Sequence, residues 1–242
     1  MKALRVPVAS LAEGDIDLDV EASNYVLRVH RLKPNDALLL FDPEHALEAD
    51  ARLLGAQGRT ARCRVASPRR SELLPRVRIA LLQAYAKGDR VDRVVRDATA
   101  LGATDIIIVV TRRTVVQSGE GDGAHRRERW HRIAVESARQ CGRGDVPHIV
   151  GPLALEELPM ADLPENRLVL APDATAALGE WMRPRPPGDV ALFIGPEGGL
   201  DASEIQLLAG ASFAPVRFAQ FVLRTETAAT AVLGAIATWQ LG

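Results

Sequence analysis

Two short segments in the carboxy-terminal third of the sequence carry residue types that could form a ligand site. Residues 195–199 read Gly-Pro-Glu-Gly-Gly, and residues 223–228 read Leu-Arg-Thr-Glu-Thr-Ala. Each segment follows a short apolar run and leads into a helical pattern, which places both in loops at the carboxyl edge of a parallel sheet, where ligands bind. The two segments therefore predict one shared pocket.

The glycine-rich segment does not have the composition of a phosphate-binding loop. Glu197 lies among the glycines, no lysine follows them, and neither the Walker A nor the GxGxxG spacing is met. A polyphosphate would face a carboxylate, so a ligand with hydroxyl groups or positive charge fits better. The alternative is a tight turn in which Pro196 and the glycines only satisfy backbone geometry.

Composition indicates a globular protein without an overall attraction to nucleic acid. The chain has 242 residues, is 47% hydrophobic and 25% charged, and carries a formal net charge of −1. Arginine is nevertheless concentrated in residues 59–78 and 112–143, which predicts basic surfaces for RNA phosphate. The alternative is that arginine is abundant for reasons of genome composition and that most of these side chains are solvated.

Cysteine and histidine show no metal-ligand spacing. The two cysteines, Cys63 and Cys141, lie far apart, and the five histidines are scattered. Apolar runs such as residues 106–110 are far too short to cross a bilayer. We therefore expect a cytoplasmic protein without a metal site, a disulfide or a membrane segment.

The first 70 residues have the pattern of a small β domain. Strands are expected at residues 38–41, 47–54 and 60–65, and many short strands in few residues indicate a small barrel. One helix is expected among them, with Ser23 as its cap and Tyr25, Val26 and Val29 on its apolar side. The polar residues 67–72 are expected to form a linker.

Strand and helix patterns alternate after the linker, which predicts a parallel α/β sheet with helices on both faces. Helical spacing covers residues 91–101 and 130–141, and each of these patterns stops at a glycine. A last helix, rich in small residues, is expected from about Thr225 to Trp239, with Thr225 or Thr227 as its cap. Strands are expected at residues 77–85, 106–110, 167–170, 190–194 and 215–219.

Taken with further motifs, these segments resemble the ribosomal RNA small subunit methyltransferase E family, whose members methylate N3 of a uridine in 16S rRNA. The additional motifs are residues 25–28, Lys87 with residues 101–102, residues 111–114, and residues 136–147 with Gln140, Arg143 and Pro147 in register. The resemblance covers nearly the whole chain.

That resemblance implies a fold which the residue patterns alone do not predict. It implies a PUA-like, RNA-binding β-barrel in residues 1–70 and a SPOUT methyltransferase domain in residues 71–242, with a parallel sheet and a deep trefoil knot at its carboxy-terminal end. Sequence logic alone predicts an unknotted doubly wound sheet, because threaded chains are rare.

The resemblance also implies S-adenosylmethionine as cofactor, held by three loops. Apolar side chains can enclose the adenine, glycines allow close approach of the backbone, and Glu197 can accept hydrogen bonds from the ribose or favour the cationic donor. As an alternative, Glu197 caps a neighbouring amide. The implied cofactor residues are Leu170, Ala171, Pro172, Ile194, Gly195, Pro196, Glu197, Gly198, Gly199, Phe218, Leu223, Thr225 and Ala228.

For catalysis and RNA binding we predict mostly arginines. Methyl transfer to N3 needs a deprotonated nitrogen, and Arg224 is the candidate that stabilises the negative charge of the base, unless it forms a structural ion pair with Glu226 or Glu197. No residue identifies itself as general base, so water and Glu226 both stay open as candidates.

By resemblance the protein is a homodimer that acts on 16S rRNA or the 30S subunit. The residues implied to contact RNA are Arg28, Lys87, Arg112, Arg113, Gln140 and Arg143.

Three positions depart from the family pattern. Ala100 replaces a glutamate, Ala219 a glycine, and Phe221 an arginine beside the expected pocket. Loss of that charge could change substrate preference or turnover without affecting cofactor binding. The alternative functions are therefore a non-catalytic or altered-specificity RNA-binding protein of the same fold, and methylation of another RNA such as a tRNA ribose.

Overall fold

The computed structural model of the chain describes residues 3–114 and 123–241. The chain divides into two compact units. The first comprises Met1–Leu74 with Val135–Val146, and the second comprises Pro75–Ala134 with Pro147–Gly242. The expected domain boundary after residue 70 stays a prediction.

The first unit is built on a mixed six-stranded sheet. Strand β5, Thr60–Val65, illustrates why these residues form a sheet. Ala61, Cys63 and Val65 are buried and the residues between them are exposed, so every second side chain faces the core, as in a strand with one buried face. The sheet has the order β1-β3-β4-β5-β2, with β6 on β4, and β1 pairs with β3 in parallel. Its strands are β1 Leu4–Pro7, β2 Gly14–Asp17, β3 Ala37–Asp42, β4 Leu47–Gln57, β5 Thr60–Val65 and β6 Arg69–Arg70.

The predicted helix exists, but its cap was wrongly assigned. Helix α1, Val20–Asn24, continues into a π-helical turn, Tyr25–Val29, and Asp19 caps it by accepting a hydrogen bond from the Ala22 amide. Ser23 lies inside the helix, is fully buried, and uses its hydroxyl to bond Leu18 and Ala61. Val29 is 61% exposed rather than packed on the apolar side.

Part of the expected linker is a strand. Arg69 and Arg70 form β6, which pairs antiparallel with the start of β4, and Arg69 makes ion pairs with Glu48 and Asp50. Polar composition suggested a turn here, but a two-residue strand needs no apolar face because it gains backbone hydrogen bonds and cross-strand charge pairs.

The second unit confirms the predicted parallel α/β architecture. Its sheet has the order β12-β10-β11-β7-β8-β9, and every neighbouring pair runs parallel. Strands β7, Ile79–Ala84, and β11, Val190–Ile194, are buried at every position, as expected for strands covered on both faces. The other strands are β8 Asp105–Val110, β9 His148–Ala154, β10 Asn166–Leu170 and β12 Ala214–Val216.

The helices that accompany this sheet follow the predicted spacing. The apolar stripe of helix α2, Arg90–Ala100, is buried, and the helix ends before Gly102, whose φ of 91° suits glycine. Short 3₁₀ turns occupy Leu155–Glu157 and Met160–Asp162. The α-helices are α2 Arg90–Ala100, α3 Gly123–Cys141, α4 Leu178–Met182, α5 Ala202–Gly210 and α6 Thr225–Leu241. Within the described ranges, none is long and apolar enough to span a membrane.

Helix α6 begins at Thr225 itself, so this residue is the first residue of the helix rather than its cap. The face of α6 that carries Ala228, Ala229 and Val232 is buried, and Thr230 donates a hydrogen bond to Asp97 of α2. Small side chains on α6 thus allow it to pack closely in the second unit.

Both cysteines are free thiols in the first unit. Cys63 points into the core of β4 and β5 and is fully buried, and this burial raises the pKa of its thiol to about 11. Cys141 ends α3 and is half-buried. Neither pairs with the other.

Candidate active site

A cavity of about 600 Å³ opens at the carboxyl ends of three neighbouring strands of the second unit. Leu170 ends β10, Ile194 ends β11, and Arg217 follows β12; all three line the cavity. Of the predicted cofactor residues, Gly198 alone is not part of its lining. The lining includes Leu170, Ala171, Pro172, Ile194, Gly195, Pro196, Glu197, Gly199, Phe218, Leu223, Thr225 and Ala228.

The glycine-rich loop is closed by a turn in which the amide of Gly199 donates to the carbonyl of Pro196 over 2.9 Å. Gly199 has a φ of 71°, which side chains other than that of glycine rarely tolerate. At Gly198 a methyl group would come within 3.4 Å of the Cβ of Arg113, and Arg113 donates to the Gly198 carbonyl over 2.9 Å. Gly199 therefore allows the loop to turn beside the cavity, and the hydrogen bond to Gly198 attaches the loop to Arg113.

Glu197 is paired rather than free. One of its carboxylate oxygens accepts a hydrogen bond from Arg90 at the start of α2, and about half of its side chain is exposed. The charge that a cationic ligand would meet is thus partly neutralised, and the capping alternative does not describe this contact. The carboxylate still belongs to the cavity wall.

A buried carboxylate fixes the loop after β8 to helix α5. Glu204 is 2% exposed and accepts hydrogen bonds from the backbone amides of Arg112 and Asp201, both over 2.8 Å. Asp201 caps α5 by accepting from the Glu204 amide, and this backbone hydrogen bond, supported by Ser203 and Arg112, holds the pKa of Asp201 below its usual range. The reciprocal capping box sets where α5 begins.

Helix α5 and the chain around β12 supply a cavity wall that the sequence did not predict. The missed residues look like ordinary core positions, since Leu208 belongs to the apolar face of α5 and Phe213 is a buried aromatic residue just before β12. The wall comprises Ile205, Leu208, Ala209, Phe213, Pro215 and Arg217. Phe221, which the sequence placed beside the expected pocket, and its neighbour Val222 also line the cavity, and they are 77% and 80% exposed.

The two predicted catalytic residues are adjacent to the cavity in sequence but do not line it. Arg224 lies between the lining residues Leu223 and Thr225; its side chain is exposed and has no hydrogen bond or ion pair within residues 3–114 and 123–241. The expected alternative, an ion pair with Glu226 or Glu197, is therefore not formed. Glu226 is half-buried, and its Oε2 atom is buried without a partner among the described residues.

The predicted RNA-binding residues differ in accessibility. Arg28, Lys87 and Gln140 are exposed, and so are Arg112 and Arg113 beside the cavity loops. Arg143, in contrast, is 6% exposed and pairs with Asp145 over 2.7 Å, so its guanidinium group is used inside the first unit. In the described part of the chain, no group of three histidine, cysteine or acidic side chains is placed to hold a metal ion.

The sheet and the cavity both lie in a part of the chain that matches a known protein family. The model of the RNA methyltransferase domain matches residues 73–237, and the chain belongs to that family. Among its relatives is ribosomal RNA small subunit methyltransferase E of Synechocystis sp., which is 29% identical over 97% of this chain and 77% of its own length. This finding confirms the resemblance drawn from the motifs.

Solved structures agree with this assignment. Ribosomal RNA small subunit methyltransferase E of Neisseria gonorrhoeae, solved bound to S-adenosyl methionine, is 28% identical and superposes with a TM-score of 0.85 over 98% of both chains. A methyltransferase structure from Legionella pneumophila, in complex with the cofactor SAM, is 30% identical and has a TM-score of 0.86, again over 98% of both chains.

Proposed function

We propose that this protein is an S-adenosylmethionine-dependent methyltransferase that modifies N3 of a uridine in 16S rRNA of the small ribosomal subunit. The observation that carries the proposal is the cavity at the ends of β10, β11 and β12, which gathers all three predicted cofactor loops in a chain of the RNA methyltransferase family.

The cavity has the chemistry that S-adenosylmethionine requires. Its volume lies in the range of small-molecule sites, and its walls are largely apolar, which suits an adenine ring. Leu170, Ile194 and Leu223 would enclose the base, the backbone near Gly195 would bond polar edges, and the Glu197 carboxylate would face hydroxyl groups or the cation. The bound cofactor supplies an activated methyl group.

In the proposed reaction, N3 of uracil forms a bond to the methyl carbon while the carbon–sulfur bond breaks, and the N3 proton leaves, giving S-adenosylhomocysteine. Arg224 would stabilise the negative charge of the deprotonated imide, because its exposed guanidinium lacks an internal partner within the described ranges. Glu226 and water remain the two candidates for the base. An E226Q variant with wild-type turnover would assign the step to water.

We further propose the finer features that the resemblance implies: a PUA-like barrel in residues 1–70, a trefoil knot in the methyltransferase domain of residues 71–242, and a cytoplasmic homodimer. Arg28, Lys87, Arg112, Arg113 and Gln140 stay candidates for RNA contacts, since exposed cations and amides suit phosphate and base edges. Arg143 is left out because its guanidinium is buried.

The test is direct methylation. The protein is incubated with unmodified 30S subunits, or with free 16S rRNA, and labelled S-adenosylmethionine, and the RNA is digested and analysed by mass spectrometry. We expect N3-methyluridine at one site. Cofactor binding without transfer would favour the non-catalytic alternative, and label on a ribose or in another RNA would overturn the assigned substrate.

A further inference from the structure

Gln83 is an unusual residue for its position. It is the only polar side chain of β7 and is fully buried, and burying an amide is costly unless it is hydrogen-bonded. Its Nε2 atom donates to the Ala84 carbonyl over 3.0 Å and to the hydroxyl of Thr225 over 2.7 Å. The strand is thereby connected to the first residue of α6.

Thr225 passes the connection on to the glycine-rich loop. Its hydroxyl, in a side chain that is 5% exposed overall, donates to the Gly195 carbonyl over 3.1 Å. Because a hydroxyl has one proton to give, it must accept from Gln83 while it donates to Gly195. The three groups therefore form a relay with one direction, Gln83 to Thr225 to Gly195.

The relay lies directly behind the cavity wall. Gln83 is the register partner of Ile194 in the parallel pairing of β7 with β11, and Ile194, Gly195 and Thr225 all line the cavity. It thus links the two segments that the sequence singled out, residues 195–199 and 223–228. Arg224 precedes Thr225, so the relay also fixes the point from which Arg224 extends.

Fold stability alone does not account for a glutamine here. Its Oε1 atom is buried and has no hydrogen-bond partner in the part of the chain that the structure describes. An unpaired buried acceptor opposes folding, and an apolar side chain of similar shape would avoid it. Residues that work against stability in this way are often found where function requires them.

We propose that Gln83 is a positioning residue that holds two of the three cofactor loops, residues 195–199 and 223–228, in register through the Thr225 hydroxyl. This inference rests on the proposed function and adds a residue that does not touch the cavity. The matched variants are T225V, which keeps the shape but removes the hydroxyl, T225S, which keeps the hydroxyl, and Q83M, which removes the amide.

Binding of S-adenosylhomocysteine is measured by calorimetry, and transfer is measured over a range of cofactor concentrations. We expect T225V and Q83M each to weaken affinity by about 5- to 10-fold, the size of a lost net hydrogen bond. We expect kcat to change less than the KM for the cofactor, T225S to stay near wild type, and the double variant Q83M/T225V to be no worse than either single one.

A second readout does not need ligand. Amide hydrogen exchange in the free protein should become faster in residues 195–199 and 223–228 together in T225V and Q83M, but not in T225S. The control is S23A, because Ser23 is an equally buried hydroxyl that bonds Leu18 and Ala61 in the other unit. It should lower thermal stability and leave both segments and the affinity unchanged.

Several outcomes would overturn the relay: T225S as impaired as T225V, additive losses in the double variant, or affinity and exchange unchanged in Q83M. Wild-type protein that binds no cofactor would instead refute the proposed function. The exchange experiment would then still decide whether Gln83 couples the two loops.

Discussion

Arg224 illustrates how an absent contact can indicate function. Its guanidinium is exposed and lacks an internal partner within residues 3–114 and 123–241. This is so although Glu226 is two positions away in the sequence and Glu197 lines the adjacent cavity. Glu197 is instead paired with Arg90. A cation left free beside a cavity is available to a substrate that carries negative charge.

We expect R224A to slow transfer by on the order of 100-fold, the effect of removing one preorganised donor, while affinity for S-adenosylhomocysteine changes less than 3-fold. Steady-state kinetics and calorimetry measure the two quantities. R183A is a matched control, since Arg183 is also exposed and its side chain makes no hydrogen bond or ion pair within the described ranges. Equal losses of transfer and affinity would show that Arg224 contacts the cofactor rather than the RNA.

Of the three departures from the family pattern, Ala219 and Phe221 both line the cavity, and Phe221 is the larger change. Because it is 77% exposed, F221A should change stability by less than about 0.5 kcal/mol, as is usual for surface substitutions. We expect cofactor affinity to be retained and the KM for RNA to rise, since an exposed aromatic ring can stack on an unpaired base. A loss of cofactor affinity in F221A would instead make Phe221 part of the adenine pocket.

At the scale of elements, α5 depends on one buried carboxylate. E204A would leave the amides of Arg112 and Asp201 without an acceptor, and we expect a loss of about 2 kcal/mol or more in the free energy of unfolding. Chemical denaturation measures it. E180A is the control, because Glu180 makes the corresponding contact to the Ala177 amide at the exposed start of α4. A similar small loss in both variants would show that burial of Glu204 has no consequence.

The cap of the same helix predicts a dependence on pH. The pKa of Asp201 is lowered in the folded protein, so its carboxylate stabilises the fold above the ordinary value of 3.8. That contribution is lost as the pH falls through the lowered pKa. Thermal unfolding of wild type and D201N should therefore differ at pH 5, and the difference should shrink as the pH falls below the ordinary value of 3.8. A constant difference across this range would contradict the assignment.

Elements with a regular pattern could be predicted from the sequence, and irregular ones could not. The strands at residues 60–65 and 190–194 have the same bounds in the prediction and in the structure. The first alternates strictly between buried and exposed positions, and the second is continuously apolar between turns. Strand β9 was missed because Gly151 and Pro152 interrupt its pattern. The cavity contribution of α5 was also missed, since an apolar helical face looks the same whether it covers a core or a ligand site.

At the scale of the whole molecule, the proposed homodimer can be tested through its sites. We propose that the helix with Gln140 completes the neighbouring subunit's site, so R224A and Q140A should each be inactive alone. Random exchange of subunits makes half of the dimers mixed, each with one intact site, and should restore about a quarter of wild-type activity. Light scattering verifies the dimer, and no recovery in verified mixed dimers would contradict a shared site.

The unequal environments of Cys63 and Cys141 have a practical consequence. A fully buried thiol with a pKa of about 11 forms almost no thiolate at neutral pH, so maleimide dyes should modify Cys141 alone. The native sequence thus accepts a single fluorophore next to Gln140 without engineering. In the proposed homodimer, energy transfer between two such dyes would report the subunit separation while RNA binds.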